Sequence, residues 1–326
     1  MKAIHIQTEI EGRPLVWAEA EDPIPGPDDV LVENHATSVN RADLAQRAGH
    51  YPPPPGASHI LGLDMAGRIL EMGQNVSGWE VGDRACALIP GGGYAERVVV
   101  PSQMLMPIPD GWSYEQGAAT PEVFLTAFVN IFMEADFKEG ETVLLHGGGS
   151  GVGTAAIQLV RQAGGRMIVT AGKPEKIDKC LELGADLAIN YREEDFAARV
   201  QDYTDGAGVD VIIDMVGADY LERNLSLLKL KGRLVYIATL SGSRAEVDLR
   251  TLMGRRLRMI GSVLRSRDPE EKVKITQRFM ARFWPLLNEG TLQPVIDRIF
   301  PIEEANEAHQ YLAEYRNVGK VVLKIR

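Results

Sequence analysis

The stretch His146-Gly147-Gly148-Gly149-Ser150-Gly151-Val152-Gly153 decides the fold. It stands between an apolar run at 141–146, which reads as a strand, and a run at 152–164 with helical spacing. A dinucleotide fold needs glycines at such a junction. They let the chain turn tightly and bring backbone amides against a pyrophosphate at the helix N-terminus. The strict G-x-G-x-x-G spacing is not met. Counted from Gly148 the third position is Ser150, and counted from Gly149 the sixth is Thr154. The strand–loop–helix context, not the spacing, carries the phosphate reading.

Outward from the loop, apolar strands alternate with helical patterns. Strands are expected at 166–171, 187–190, 209–215 and 234–238. A helix at 174–183 starts with Pro174 and stops at Gly184. Alternation of this kind predicts parallel β-α-β units with helices on both faces. The end of the second strand selects the cofactor. NAD-binding folds place Asp or Glu roughly 20 residues past the glycines, where it accepts from the ribose 2′-hydroxyl. Here the chain reads Val169-Thr170-Ala171-Gly172-Lys173, and the first acid is Glu175, already in the helix. Gly172 leaves space, and Lys173 and Lys176 add positive charge. Lysines at a helix start oppose the macrodipole, so a bound anion is the better reading. NADPH is the expected cofactor.

The first third is β-rich. Short apolar runs at 30–33, 65–70, 85–89 and 95–100 are split by Pro and Gly clusters, which suggests a small barrel-like domain. After Leu264 come a polar stretch, Arg265-Ser266-Arg267-Asp268, a helix at 273–287 and a terminal strand at 319–325. That strand needs an edge, and the β domain is the natural place. The expected division is 1–121 with 265–326 as one domain, and 122–264 as the other. The length of 326 residues suits two domains at roughly 100–200 residues each.

Composition narrows the function classes. Hydrophobic residues are 45% and charged residues 25%, which excludes a largely disordered chain. The net charge of −10 argues against nucleic acid as the main ligand and against an anionic membrane. Cys86 and Cys180 are too few for a four-cysteine zinc site. The six histidines show no ligand spacing. Gln7 and Glu9 interrupt any signal-like apolar run, and no stretch approaches a membrane span, so a cytoplasmic protein is expected.

Several motifs in order then carry a resemblance. They are Val39-Asn40-Arg41-Ala42-Asp43-Leu44, Pro53-Pro54-Pro55-Gly56-Ala57-Ser58, Ile60-Leu61-Gly62, Ser150-Gly151-Val152-Gly153-Thr154, Asn190-Tyr191, Leu264-Arg265-Ser266-Arg267-Asp268 and Gly319-Lys320-Val321-Val322-Leu323. The chain resembles, end to end, the zeta-crystallin-like quinone oxidoreductases of the medium-chain dehydrogenase/reductase superfamily, nearest the tumour-suppressor-inducible branch. The resemblance implies an α/β protein: a GroES-like β-rich catalytic domain plus a Rossmann doubly wound parallel-sheet domain, with a cofactor cleft and a homodimer or higher homo-oligomer. Dimerisation would use the Rossmann sheet edge, for which the run at 258–263 is the candidate.

The resemblance also implies roles. Ser150, Gly151 and Val152 would line the pyrophosphate. Gly172, Lys176 and Tyr191 would surround the 2′-phosphate and adenine ribose, beside Lys173. Leu264, Ser266 and Thr126 would lie near the nicotinamide, and Asn317 would add a contact. Zinc-dependent relatives use Cys and a Gly-His-Glu segment, where this chain has Asn40 and Gly62-Leu63-Asp64. A metal-independent enzyme is expected, with Asp64 structural. Asn40 and Tyr51 are the candidates at the substrate end. An amide can orient a carbonyl, and a phenol can donate a hydrogen bond while its ring stacks on a quinone. The expected reaction is hydride transfer from NADPH to a quinone. Two alternatives stay open: reduction of enals or enones, and a non-catalytic, crystallin-like NADPH-binding protein.

Overall fold

The computed structural model describes all 326 residues, Met1–Arg326. They form two compact units, Met1–Leu125 with Arg265–Arg326, and Thr126–Leu264. No helix is long and apolar enough to cross a membrane.

In the second unit six strands pair in the order Leu187–Asn190, Arg166–Ala171, Thr142–His146, Val209–Asp214, Leu228–Tyr236, Arg258–Gly261. Every pairing is parallel. The first strand in chain order, Thr142–His146, lies mid-sheet, with its successors spreading to one side and then to the other. The sheet is therefore doubly wound, and the glycine loop sits where the order reverses, the usual place for a ligand in such sheets. Thr142–His146 is buried along its whole length, which is why it reads as a continuous apolar run. Leu228–Tyr236 begins well before the apolar residues that announce it. Its first part carries half-buried Lys229 and exposed Leu230 and Lys231, and Lys231 is in the left-handed region (φ 65°), so the segment resembles a loop in sequence.

A buried polar network sits beneath the loop. His146 binds Thr170 Oγ1 through Nδ1 (3.1 Å) and Asn224 Oδ1 through Nε2 (2.9 Å). Asn224 Nδ2 donates to Asp214 Oδ2 at 2.8 Å. Burial pushes the His146 imidazole down to about 4, so it stays neutral and works as a structural tie between strands.

The first unit contains the hairpin Lys2–Ile6/Leu15–Glu19 and a seven-stranded sheet. Along the sheet the order is Ile296–Pro301, Lys320–Lys324, Asp29–Val39, Asp64–Met72, Arg84–Leu88, Met106–Pro107, and Arg97–Pro101 also pairs with Asp29–Val39. The terminal strand pairs in the β domain, as expected, and a further strand covers its other side. Lys320–Lys324 lies between Asp29–Val39, antiparallel, and Ile296–Pro301, parallel. Ile296–Pro301 is mostly exposed and carries Asp297 and Arg298, so no apolar run announces it. The late helix is longer than its apolar spacing indicates. It runs Pro269–Asn288, with Asp268 before it, Pro269 at its first position and two acids in its first turn.

Candidate functional site

Ser150 has extended backbone and caps the helix Gly151–Gln162. Its Oγ accepts from Gly153 N (3.0 Å) and its carbonyl from Thr154 N (2.9 Å). The Gly151 and Val152 amides precede any carbonyl four residues back, so the helix itself cannot satisfy them. Two free donors at the positive end of a helix make an anion seat. The loop is packed to the limit of glycine. A Cβ on Gly153 would lie 2.4 Å from the Gly148 carbonyl oxygen. One on Gly149 would lie 2.8 Å from the Lys176 side chain, which therefore crosses the loop.

The next strand ends in a second cradle. A Cβ on Gly172 would meet the Tyr191 hydroxyl at 2.7 Å and Arg192 Nε at 3.0 Å. Gly172, Tyr191 and Arg192 thus converge where the 2′-phosphate is expected, without a carboxylate at the strand end. Arg192, next to the Asn190-Tyr191 motif, has no sequence pattern of its own that marks it. Lys173 has extended backbone ahead of the helix Pro174–Glu182, and its ammonium is 3.8 Å from the Glu175 carboxylate. Such an exposed pair is weak and leaves Lys173 able to turn to a stronger anion. These residues fit NADPH.

The remaining cofactor candidates are less committed. Thr126 is half-buried on the helix Pro121–Phe128, and its carbonyl accepts from Asn130 Nδ2 at 2.8 Å. Leu264 is half-buried and Ser266 exposed, on either side of buried Arg265. The Asn317 side chain donates to the Gly319 carbonyl at 2.6 Å, so its amide shapes its own turn. That use competes with the cofactor contact expected of it.

In the first unit, strand register assembles a buried polar cluster. Ala36 pairs with Ala66 and Val39 with Val321. Continuing those registers sets Ser38 opposite Asp64 and Asn40 opposite Lys320. Lys320 Nζ donates to Asn40 Oδ1 at 2.6 Å and lies 3.4 Å from Asp64 Oδ2. Asn40 Nδ2 donates to the same Asp64 oxygen at 2.9 Å, and Ser38 Oγ donates there too. The other Asp64 oxygen accepts from Glu122 N at 2.7 Å. Asp64 is fully buried, and Lys320 is only 4% exposed.

This arrangement gives Asn40 a structural use beside the substrate-end role expected of it. Its amide oxygen accepts from Lys320 and its amide nitrogen donates to Asp64, so it links the two strands' polar groups. Lys320 went unnoticed, although a lysine inside Gly319-Lys320-Val321-Val322-Leu323 is the signal of a buried cation awaiting a partner. Asp43 was also missed. Its fully buried carboxylate accepts from Asn40 N (2.8 Å) and Gly62 N (3.0 Å), and burial lifts it to about 6. It holds together the two segments that carry Asn40 and Asp64.

Tyr51 has the opposite character. It is half-buried, and its hydroxyl has no hydrogen-bond partner in the protein. Burial raises its phenol above the ordinary value, with nearby Arg265 opposing, so it is neutral and able to donate.

The family description "Alcohol dehydrogenase GroES-like domain" matches residues 26–110, and "Zinc-binding dehydrogenase" matches residues 151–281. Quinone oxidoreductase of Homo sapiens is 33% identical over 305 residues, covering 92% of this chain and 90% of its own. That of Pseudomonas aeruginosa is 34% identical over 331 residues, covering 98% and 99%. The structure of Escherichia coli quinone oxidoreductase complexed with NADPH superposes with a TM-score of 0.87 at 28% identity, covering 100% of both chains. The zinc in one family description does not suit this donor set. No three His, Cys, Asp or Glu side chains converge, and the Lys320 ammonium already lies beside the Asp64 carboxylate, where it would repel a second cation.

Proposed function

This chain belongs to the zeta-crystallin-like quinone oxidoreductases of the medium-chain dehydrogenase/reductase superfamily, and from that premise we propose that it transfers hydride from NADPH to quinones with Tyr51 at the substrate end. The observation that carries the cofactor half is the convergence of Gly172, Tyr191 and Arg192, with Lys176 against the glycine loop at Gly149 and no carboxylate to favour a free ribose hydroxyl. The Gly151 and Val152 amides seat the pyrophosphate, with Ser150 holding the turn that presents them. Lys173 joins the charge around the 2′-phosphate. Leu264, Ser266 and Thr126 stay as the nicotinamide-side candidates, and Asn317 as a weaker one.

NADPH supplies the hydride, and the protein orients the acceptor. The unengaged Tyr51 hydroxyl donates a hydrogen bond to a quinone oxygen, while its ring offers a flat stacking surface. Its raised pKa suits a hydrogen-bond donor and not a proton source at neutral pH, so water delivers the proton to the hydroquinone anion. That anion is stabilised by its own aromatic ring, so no strong acid is needed. Following NADPH oxidation with 1,2-naphthoquinone and with a 2-alkenal tests the reading. Quinone turnover should dominate, and Tyr51→Phe should lower quinone kcat/KM about 10-fold, the cost of one hydrogen bond. Alkenal turnover without quinone turnover would replace the reading with the enal reductase. An unchanged Tyr51→Phe enzyme would remove the phenol's role.

We also place a dimer contact on Arg258–Gly261. This strand ends the six-stranded sheet, so one side of its backbone has no strand partner, and Met259 within it and Val263 just after it are exposed. Sedimentation should give a dimer, and a monomer at every concentration would exclude it. Buried, unpaired Cys86 and Cys180 suit the reducing cytoplasm.

A further inference from the structure

Tyr51 opens the run Tyr51-Pro52-Pro53-Pro54-Pro55-Gly56. Four consecutive prolines have no backbone N–H, so this segment can accept but not donate backbone hydrogen bonds. The one internal bond nearby is from Ala57 N to the Pro54 carbonyl, beyond the tyrosine. Something outside the segment has to hold Tyr51.

That group is Arg265, 214 residues later in the chain. It is 6% exposed, and its guanidinium has no ion-pair partner. Its Nε donates to the Pro90 carbonyl at 2.8 Å and one terminal nitrogen to Gln46 Oε1 at 2.7 Å. The other terminal nitrogen is 3.5 Å from the Tyr51 carbonyl. The guanidinium carbon lies 5.2 Å from the Tyr51 ring centroid, within cation–π reach. Gln46 in turn donates to the His59 carbonyl at 3.0 Å, beyond the far end of the proline run. Arg265 and Gln46 therefore brace both ends of the segment. Lys272 fixes Arg265 from behind by donating to its carbonyl at 3.1 Å. Both acceptors that Arg265 binds closely are neutral, so burial of the charge is not offset by a carboxylate in contact. A planar fork that reaches three acceptors while stacking on a ring suits arginine and not lysine.

We propose that Arg265 is the positioning residue for Tyr51: its guanidinium fixes the phenol ring so that the free hydroxyl meets the quinone oxygen. The inference rests on the reading that places Tyr51 at the substrate end. Misplacing a reacting contact by about 1 Å is costly, so loss of the brace should appear in quinone kcat/KM.

The test is a double-mutant cycle on the full-length enzyme, using Arg265→Met, Arg265→Lys and Tyr51→Ala with 1,2-naphthoquinone. Arg265→Met should lower quinone kcat/KM roughly tenfold and leave the NADPH dissociation constant unchanged. Arg265→Lys, which keeps charge but not the fork, should restore little of it, and it provides a second probe if the methionine variant folds poorly. In the Tyr51→Ala background the same substitutions should change kcat/KM by less than about twofold, because the group they act through is gone. A purely structural arginine would lower activity equally in both backgrounds, and that result would overturn the inference. Full rescue by lysine would also overturn it, by assigning the effect to charge alone. Wild-type kcat/KM in Tyr51→Ala itself would instead sink the placement of Tyr51 at the substrate.

Discussion

Replacing Lys320 with Met should cost the first unit about 3–5 kcal/mol, the range for removing one partner of a buried ion pair. The ammonium is the cation nearest the Asp64 carboxylate, at 3.4 Å, and Asp64 is fully buried. Three hydrogen-bond donors would remain on Asp64: Asn40 Nδ2, Ser38 Oγ and Glu122 N. They would keep the carboxylate solvated by dipoles but would not neutralise it. Asn40 would lose its 2.6 Å donor at the same time and be left with a buried carbonyl oxygen. Urea unfolding followed by circular dichroism measures the loss. The double variant Lys320→Met/Asp64→Leu should recover part of it, because removing both charges removes the uncompensated one. A Lys320→Met protein within about 1 kcal/mol of wild type would show that the pair contributes no more than an exposed one.

Replacing Lys176 and Arg192 together with Ala should raise the KM for NADPH by about 100-fold and leave that for NADH within about twofold. Each hydrogen bond to a charged group is worth about 1.5–3 kcal/mol, and the exposed setting of Arg192 puts it at the lower end. Lys176 crosses the glycine loop at Gly149, and Arg192 and Tyr191 close over Gly172. Tyr191 and Arg192 are thus at the end of the second strand, where the two cofactors are expected to differ by one phosphate, and Lys176 adds positive charge from the loop side. Initial rates with both cofactors decide the matter. An equal rise for NADPH and NADH would mean that these side chains hold the loop and do not read the phosphate. Raising the salt concentration should weaken NADPH more than NADH in wild type and not in the double variant.

The two units differed in how openly the sequence declared them. The doubly wound sheet was legible because its central strands are buried on both faces. Such strands must be apolar throughout, and Thr142–His146 and Arg166–Ala171 announce themselves. The loop after the first of them was legible for a related reason. Only glycine fits where a Cβ would strike a carbonyl oxygen at 2.4 Å. The edge strand Ile296–Pro301 was not legible, because backbone pairing needs no side-chain pattern and its side chains face water. The start of Leu228–Tyr236 was hidden by Lys229 and exposed Lys231 in the same way.

At the site, the division follows sequence distance. Residues acting through their own backbone or their immediate neighbours carried a local signal: the glycine-rich turn that holds Ser150, Gly151 and Val152, and Gly172 as an open position at the end of the second strand. Residues acting through partners far along the chain did not. Asn40 looked like a free amide until strand register set it against Lys320, 280 positions away. Arg265 looked like one charge in a polar stretch until folding laid it against Tyr51 and Gln46. Local steric and hydrogen-bonding needs thus determined the fold, the glycine cradle and the preference for a 2′-phosphate from sequence alone. Only the tertiary structure decided which polar side chains are used up inside the protein and which stay free for substrate. A side chain's remaining hydrogen-bonding capacity depends on neighbours that the chain brings together only when it folds.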